Sequence, residues 1–179
     1  ISTITVADGV SVTLEKNASN TSAQNVNYSD TQTTANLTLN KVITTAVTVN
    51  GDEVTTLNIA TEGSASSVGT LTVDAKMATV KITGDKNLTV TTALADTIDT
   101  LDASAFKGDL DVNFVKPTDA GGANDAVDLT VKSGSGNDKI NISALTATEE
   151  VAVNTGAGND KVVIKTGIAY AAATATSAG

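Results

Sequence analysis

Leu129, Ile140, Val151 and Val162 follow one another at steps of eleven, and Gly136-Asn137-Asp138 returns 22 residues later as Gly158-Asn159-Asp160. A half-period of eleven inside a full period of 22 is what a coil with one strand on each of two faces produces, because every turn brings equivalent residues to the same place one layer further on. A sandwich of hairpins has no reason to keep such a step. The period therefore predicts an all-β chain folded as a two-faced parallel β-solenoid.

Local patterning agrees. Ile4-Thr5-Val6, Val10 to Leu14, Leu37-Thr38-Leu39 and Val47-Thr48-Val49 alternate apolar and polar residues, the period of strands with one buried face. From residue 54 the strands read as short and evenly spaced: Leu57 to Ile59, Leu71 to Val73, Val80 to Ile82, Leu88 to Val90, Ile98 to Leu101 and Leu110 to Val112. Helix is expected almost nowhere; the most helix-like pieces are Ser143 to Glu150 and the tail from Ile168. The organisation this predicts is an N-terminal β region or solenoid cap over residues 1–50, short irregular coils over 51–115, glycine-rich coils over 116–166 and a small-residue tail over 167–179.

Composition narrows the chemistry. The 179 residues include 31 Thr but no His, Cys, Trp or Arg, and only four aromatic residues. Thr and Val suit strands, and a core so poor in aromatic rings must be assembled from many thin layers. Without His and Cys there is no zinc site, thiol nucleophile, His-based triad or disulfide. A net charge of −9 without arginine makes nucleic acid a poor partner. No run of 18 apolar residues exists, so no membrane-spanning helix is expected. The chain begins at Ile1 and ends in a run of small residues, as cuts through a longer protein would.

The duplicated turns are Ser133-Gly134-Ser135-Gly136-Asn137-Asp138-Lys139-Ile140-Asn141 and Thr155-Gly156-Ala157-Gly158-Asn159-Asp160-Lys161-Val162-Val163. Their shared pattern, x-G-x-G-N-D-x-(aliphatic)-x, resembles the calcium-binding nonapeptide of RTX proteins, G-G-x-G-x-D-x-U-x, with Ser133 and Thr155 at the first glycine. Glycines permit positive φ angles that turn carbonyl oxygens toward one point, and each Asp adds a carboxylate. Stacked one coil apart, Asp138 and Asp160 would share an edge and repel unless Ca²⁺ lay between them. The expected ligand set is Ser133, Gly134, Ser135, Gly136 and Asp138 with Thr155, Gly156, Ala157, Gly158 and Asp160. RTX β-rolls repeat the motif every nine residues; a spacing of 22 implies wider coils and few ions.

A defective third copy is Gly121-Gly122-Ala123-Asn124-Asp125. Counting by 22 places Asp125 near the Thr146 to Glu149 turn and the Lys116 to Asp119 segment beneath Asp138, which makes Asp119 and Asp125 further candidate ligands and Glu149 a weaker one. Asp99, Asp102, Asp109 and Asp111 are dense enough to raise a paired-carboxylate site of the glycosidase kind. Strand alternation around Asp99, and the absence of aromatic residues to stack on a sugar, argue against catalysis.

Ile82-Thr83-Gly84-Asp85-Lys86-Asn87-Leu88-Thr89-Val90, Leu101-Asp102-Ala103-Ser104-Ala105-Phe106 and Gly108 to Val112 resemble the repeats of RTX-type surface-layer proteins of Gram-negative bacteria, and large RTX adhesins use similar phrases. The resemblance covers roughly residues 54–166. It implies a β-helix-like or β-roll-like fold with calcium-binding turns in a secreted, non-enzymatic cell-surface protein. It further implies type I secretion, folding on external Ca²⁺, self-association into a lattice, and lipopolysaccharide anchoring through a separate region outside residues 1–179. The alternative it leaves open is an adhesin stalk or ligand-binding module, and less readily a polysaccharide-modifying enzyme.

Overall fold

A computed structural model describes residues 2–15, 22–115, 128–145 and 149–166. The strands are β1 (Ser2–Val6), β2 (Val12–Glu15), β3 (Gln24–Tyr28), β4 (Thr34–Asn40), β5 (Ile43–Asn50), β6 (Thr56–Glu62), β7 (Ser66–Val73), β8 (Thr79–Gly84), β9 (Leu88–Val90), β10 (Thr100–Asp102), β11 (Leu110–Phe114), β12 (Leu129–Lys132), β13 (Lys139–Leu145), β14 (Val151–Asn154) and β15 (Lys161–Thr166). The odd-numbered strands form one eight-stranded sheet and the even-numbered strands a seven-stranded one, each in strict order along the chain. Every pairing between these strands is parallel. The fold is the expected β-solenoid, with one strand per face in each coil.

The step between stacked residues is 22 where the sequence repeats openly: Leu129 lies beside Val151 and Ile140 beside Val162. Elsewhere it varies. Val12 pairs with Leu37, Gln24 with Val47 and Ile43 with Ser67, steps of 25, 23 and 24 that blur the period over the first fifty residues. Those residues nonetheless supply β1 to β5, the first layers of the same two sheets rather than a separate one. Between β11 and β13 the step widens to 28, with Val112 beside Ile140. The residue beneath Asp138 is Leu110, because the extra length between β11 and β12 breaks the count by 22, and the Lys116 to Asp119 segment lies outside the described residues. Ser143 to Leu145 continue β13 as strand, and the tail from Gly167 lies outside the described residues.

Burial alternates along the strands, as in β4, where Ala35, Leu37 and Leu39 point inward between half-exposed neighbours. The inward columns of both sheets meet in one continuous core of small aliphatic side chains, with Tyr28, Phe106 and Phe114 its bulkiest members. Phe106 and Phe114 are each almost fully buried and Tyr28 nearly so, so the aromatic rings among the described residues are spent on the interior. The outward residues also stack in files. Thr34, Thr56, Thr79, Thr100 and Thr130 form one file across five strands. Two residues along, Asn36, Asn58, Lys81, Asp102 and Lys132 form another, in which the Asn58 amide donates to the Asn36 side-chain oxygen at 2.9 Å. Side chains repeating at the strand spacing of about 4.8 Å can hydrogen-bond up the stack.

Candidate functional site

The duplicated turns lie along one edge of the solenoid, joining β12 to β13 and β14 to β15. Their glycines answer chiefly to crowding between coils. A Cβ at Gly134 would lie 1.9 Å from the Phe106 carbonyl oxygen, one at Gly136 2.2 Å from that of Gly108, and one at Gly158 2.0 Å from that of Gly136. Positive φ, the expected reason for these glycines, occurs only in the second copy, at Gly156 (φ 72) and Gly158 (φ 130). The turns are flattened so that each rests directly on the one before.

A turn cannot continue the strand ladders, so its N–H groups need other acceptors. Side chains from the adjoining coils supply them. Asp138 Oδ1 accepts from the Leu110 N–H at 2.9 Å, and Oδ2 from the Gly134 N–H at 3.2 Å. Asp160 Oδ1 in turn accepts from the Asp138 N–H at 2.9 Å. A second file runs the opposite way: the Asn87 side-chain oxygen takes the Asp109 N–H (2.9 Å), Asp109 Oδ1 the Asn137 N–H (2.7 Å), and the Asn137 oxygen the Asn159 N–H (3.0 Å). Asp138 and Asp160 reach back one coil, and each member of the other file reaches forward. Backbone bonds complete the edge, with the Ser135 N–H on the Phe106 carbonyl (3.0 Å) and the Ala157 N–H on the Gly134 carbonyl (2.9 Å).

Asp138 is 1 % exposed, and this burial pushes its carboxyl above the usual carboxylate range; the nearby Asp160 charge adds to the push while the hydrogen bonds oppose it. Ser133 is also buried, its hydroxyl within reach of both the Asp138 carboxylate and the Thr155 carbonyl (2.9 Å), and its single proton serves one at a time.

The structure thus brings Ser133, Gly134, Ser135, Gly136 and Asp138 directly onto the coil of Thr155, Gly156, Ala157, Gly158 and Asp160, as the spacing predicts. Asp119 and Asp125 lie outside the described residues. Glu149 belongs to the opposite edge, where the Asp128 carboxylate takes the Glu150 N–H at 2.7 Å.

Hard cations such as Ca²⁺ take six to eight oxygens turned toward one point. Around Asp138 the groups turned toward the carboxylate are N–H and O–H donors, whose positive ends occupy the directions a cation would need. The Asp138 N–H donates to Asp160 Oδ1. Among the described residues no three acidic side chains gather closely enough to hold a metal ion. As arranged here, the Asp138 carboxylate is turned to N–H donors and not to a cation site.

The other acidic cluster is dispersed. Asp102 and Asp111 stand on strands of opposite sheets, each beside an inward-facing residue, Leu101 and Val112, and so face solvent on opposite sides. Asp111 pairs with Lys139 at 3.0 Å, Asp102 accepts from the Ser104 hydroxyl and N–H, and Asp109 belongs to the turn file. Asn87, Asp109 and Asn137 are structural partners that the motif reading passed over. The 22-residue step from Asn87 to Asp109 was visible in the sequence, but the next step of 28 hid the series.

No family model matches this sequence, and no curated protein or solved structure matches it. The fold defines a class, the two-faced parallel β-solenoid, and among the described residues no helix is long and apolar enough to cross a membrane.

Proposed function

We propose that this chain is a non-catalytic, load-carrying segment of a secreted bacterial cell-surface protein, a rod of stacked coils that associates with further copies into a surface layer. One observation carries the reading: the described residues form a single uninterrupted stack, and the acidic side chains that could have formed an active site instead hold turns or face solvent on opposite sheets. Such a stack transmits load through every layer, since each coil is bonded only to its neighbours. Its outward files of Thr, Asn, Lys and Asp offer a repeating polar surface for lateral contact between rods. Surface-layer membership rests on the repeat resemblance over residues 54–166, and lipopolysaccharide anchoring is assigned to regions outside this chain.

Electron microscopy of the purified chain, deposited on a lipid monolayer and on bare carbon, tests the proposal. Ordered two-dimensional arrays support it. Isolated rods at every concentration, together with saturable binding to a host glycan or protein, would replace it with the adhesin-stalk reading.

A further inference from the structure

We infer that the x-G-x-G-N-D turns are a metal-independent clasp between coils, in which the Asp carboxylate does for backbone N–H groups what the resemblance assigns to a calcium ion. The inference concerns how the turns are held and stands whether or not the chain forms a lattice.

Three observations converge. Both oxygens of Asp138 are engaged by N–H donors from two different segments, Leu110 in the preceding coil and Gly134 in its own turn. The Asp138 N–H is in turn held by the Asp160 carboxylate of the next coil. The same device recurs with no x-G-x-G-N-D motif behind it: Asn87 takes the Asp109 N–H, Asp128 the Glu150 N–H on the opposite edge, and Gln32 the Gly9 N–H at 3.2 Å near the first coils. A side-chain acceptor reaching one coil away is thus a general solution of this solenoid. The glycines let neighbouring turns approach within the length of that reach, and Asn and Asp in tandem serve the coils on both sides.

The clasp makes a prediction that a calcium centre does not. In the full chain, amide hydrogen exchange measured in chelator should already show Leu110, Gly134, Asn137, Asp138 and Asn159 protected, and millimolar Ca²⁺ should leave both that protection and the melting temperature unchanged. Asp138→Ala should release Leu110 and Gly134 by at least about 100-fold in exchange rate, because their buried donors lose their acceptor, and should lower the melting temperature by roughly 5 °C equally with and without Ca²⁺. Asn137→Ala, at an exposed position, should release Asn159 alone and keeps the test informative if Asp138→Ala fails to fold. Free exchange of these amides in chelator, with protection and a rise in melting temperature appearing only on adding Ca²⁺, would overturn the clasp.

Discussion

At Gly136 a methyl group would sit 2.2 Å from the Gly108 carbonyl oxygen, which belongs to backbone and cannot swing aside. Gly136→Ala should therefore cost more than about 2 kcal/mol, read as a fall in melting temperature, because two coils must separate to admit it. Gly9 makes the contrasting case: its φ is 76, but nothing lies within 4 Å of an added Cβ, so Gly9→Ala should cost only the backbone strain, about 1 kcal/mol. Tyr28 offers a second reading at this scale. Its ring is 4 % exposed, its hydroxyl donates to the Asn36 carbonyl, and burial pushes the phenol up to about 12. In the unfolded chain the phenol ionises near 10, so Tyr28 binds its proton more tightly when folded. Its contribution is whole below pH 10 and fades as pH rises toward 12, a loss of about 2–3 kcal/mol that Tyr28→Phe should not show. Phenolate absorbance in a Tyr170→Phe background, where Tyr28 is the only tyrosine, should rise near pH 12 rather than 10.

Strands were legible wherever apolar residues alternated strictly, because a half-buried strand cannot hide that period; β4, β6, β8 and β11 stand where the alternation put them. β3 was missed, since Gln24-Asn25-Val26-Asn27-Tyr28 turns only Val26 and Tyr28 inward and carries polar residues elsewhere. The continuity of β1 to β5 with the rest was hidden too, by steps of 23 to 25 that a turn absorbs without disturbing the sheets. At the candidate site the stacking of the two turns could be read from spacing, but the direction in which a carboxylate points depends on which N–H groups the adjoining coil leaves unpaired, and that is set by register. Position along the stack also sets what an element's side chains are worth. Val112 and Val162 flank Ile140 in one inward column, yet Val112 is fully buried while Val162, in the last described coil, is 40 % exposed. Val112→Ala should cost about 2 kcal/mol and Val162→Ala well under 1 kcal/mol, a difference of chemical denaturation midpoints between identical substitutions.

A stack bonded only between neighbours should tolerate the loss of a whole layer but not of half of one. Thr55 and Thr56 donate their N–H groups to the Thr33 carbonyl, and 23 residues later Ala78 and Thr79 donate theirs to the Thr55 carbonyl. Deleting residues 56–78 joins Thr55 to Thr79, which can then take the place of Thr56 on Thr33, leaving β8 on β4 and β9 on β5 with inward residues still facing in. The shortened chain should keep the circular dichroism of a β-solenoid and melt cooperatively, at a temperature lowered by the loss of one layer's burial. Deleting residues 56–67 instead carries the remaining part of β7, from Val68 to Val73, toward the wrong sheet, so the two files of strands can no longer alternate. That chain should lose its cooperative transition. If both deletions unfold alike, neighbouring coils are not interchangeable, and stability must reside in particular layers such as the one closed by Phe106 and the Gly134 turn, where side-chain identity rather than repeat length would govern the fold.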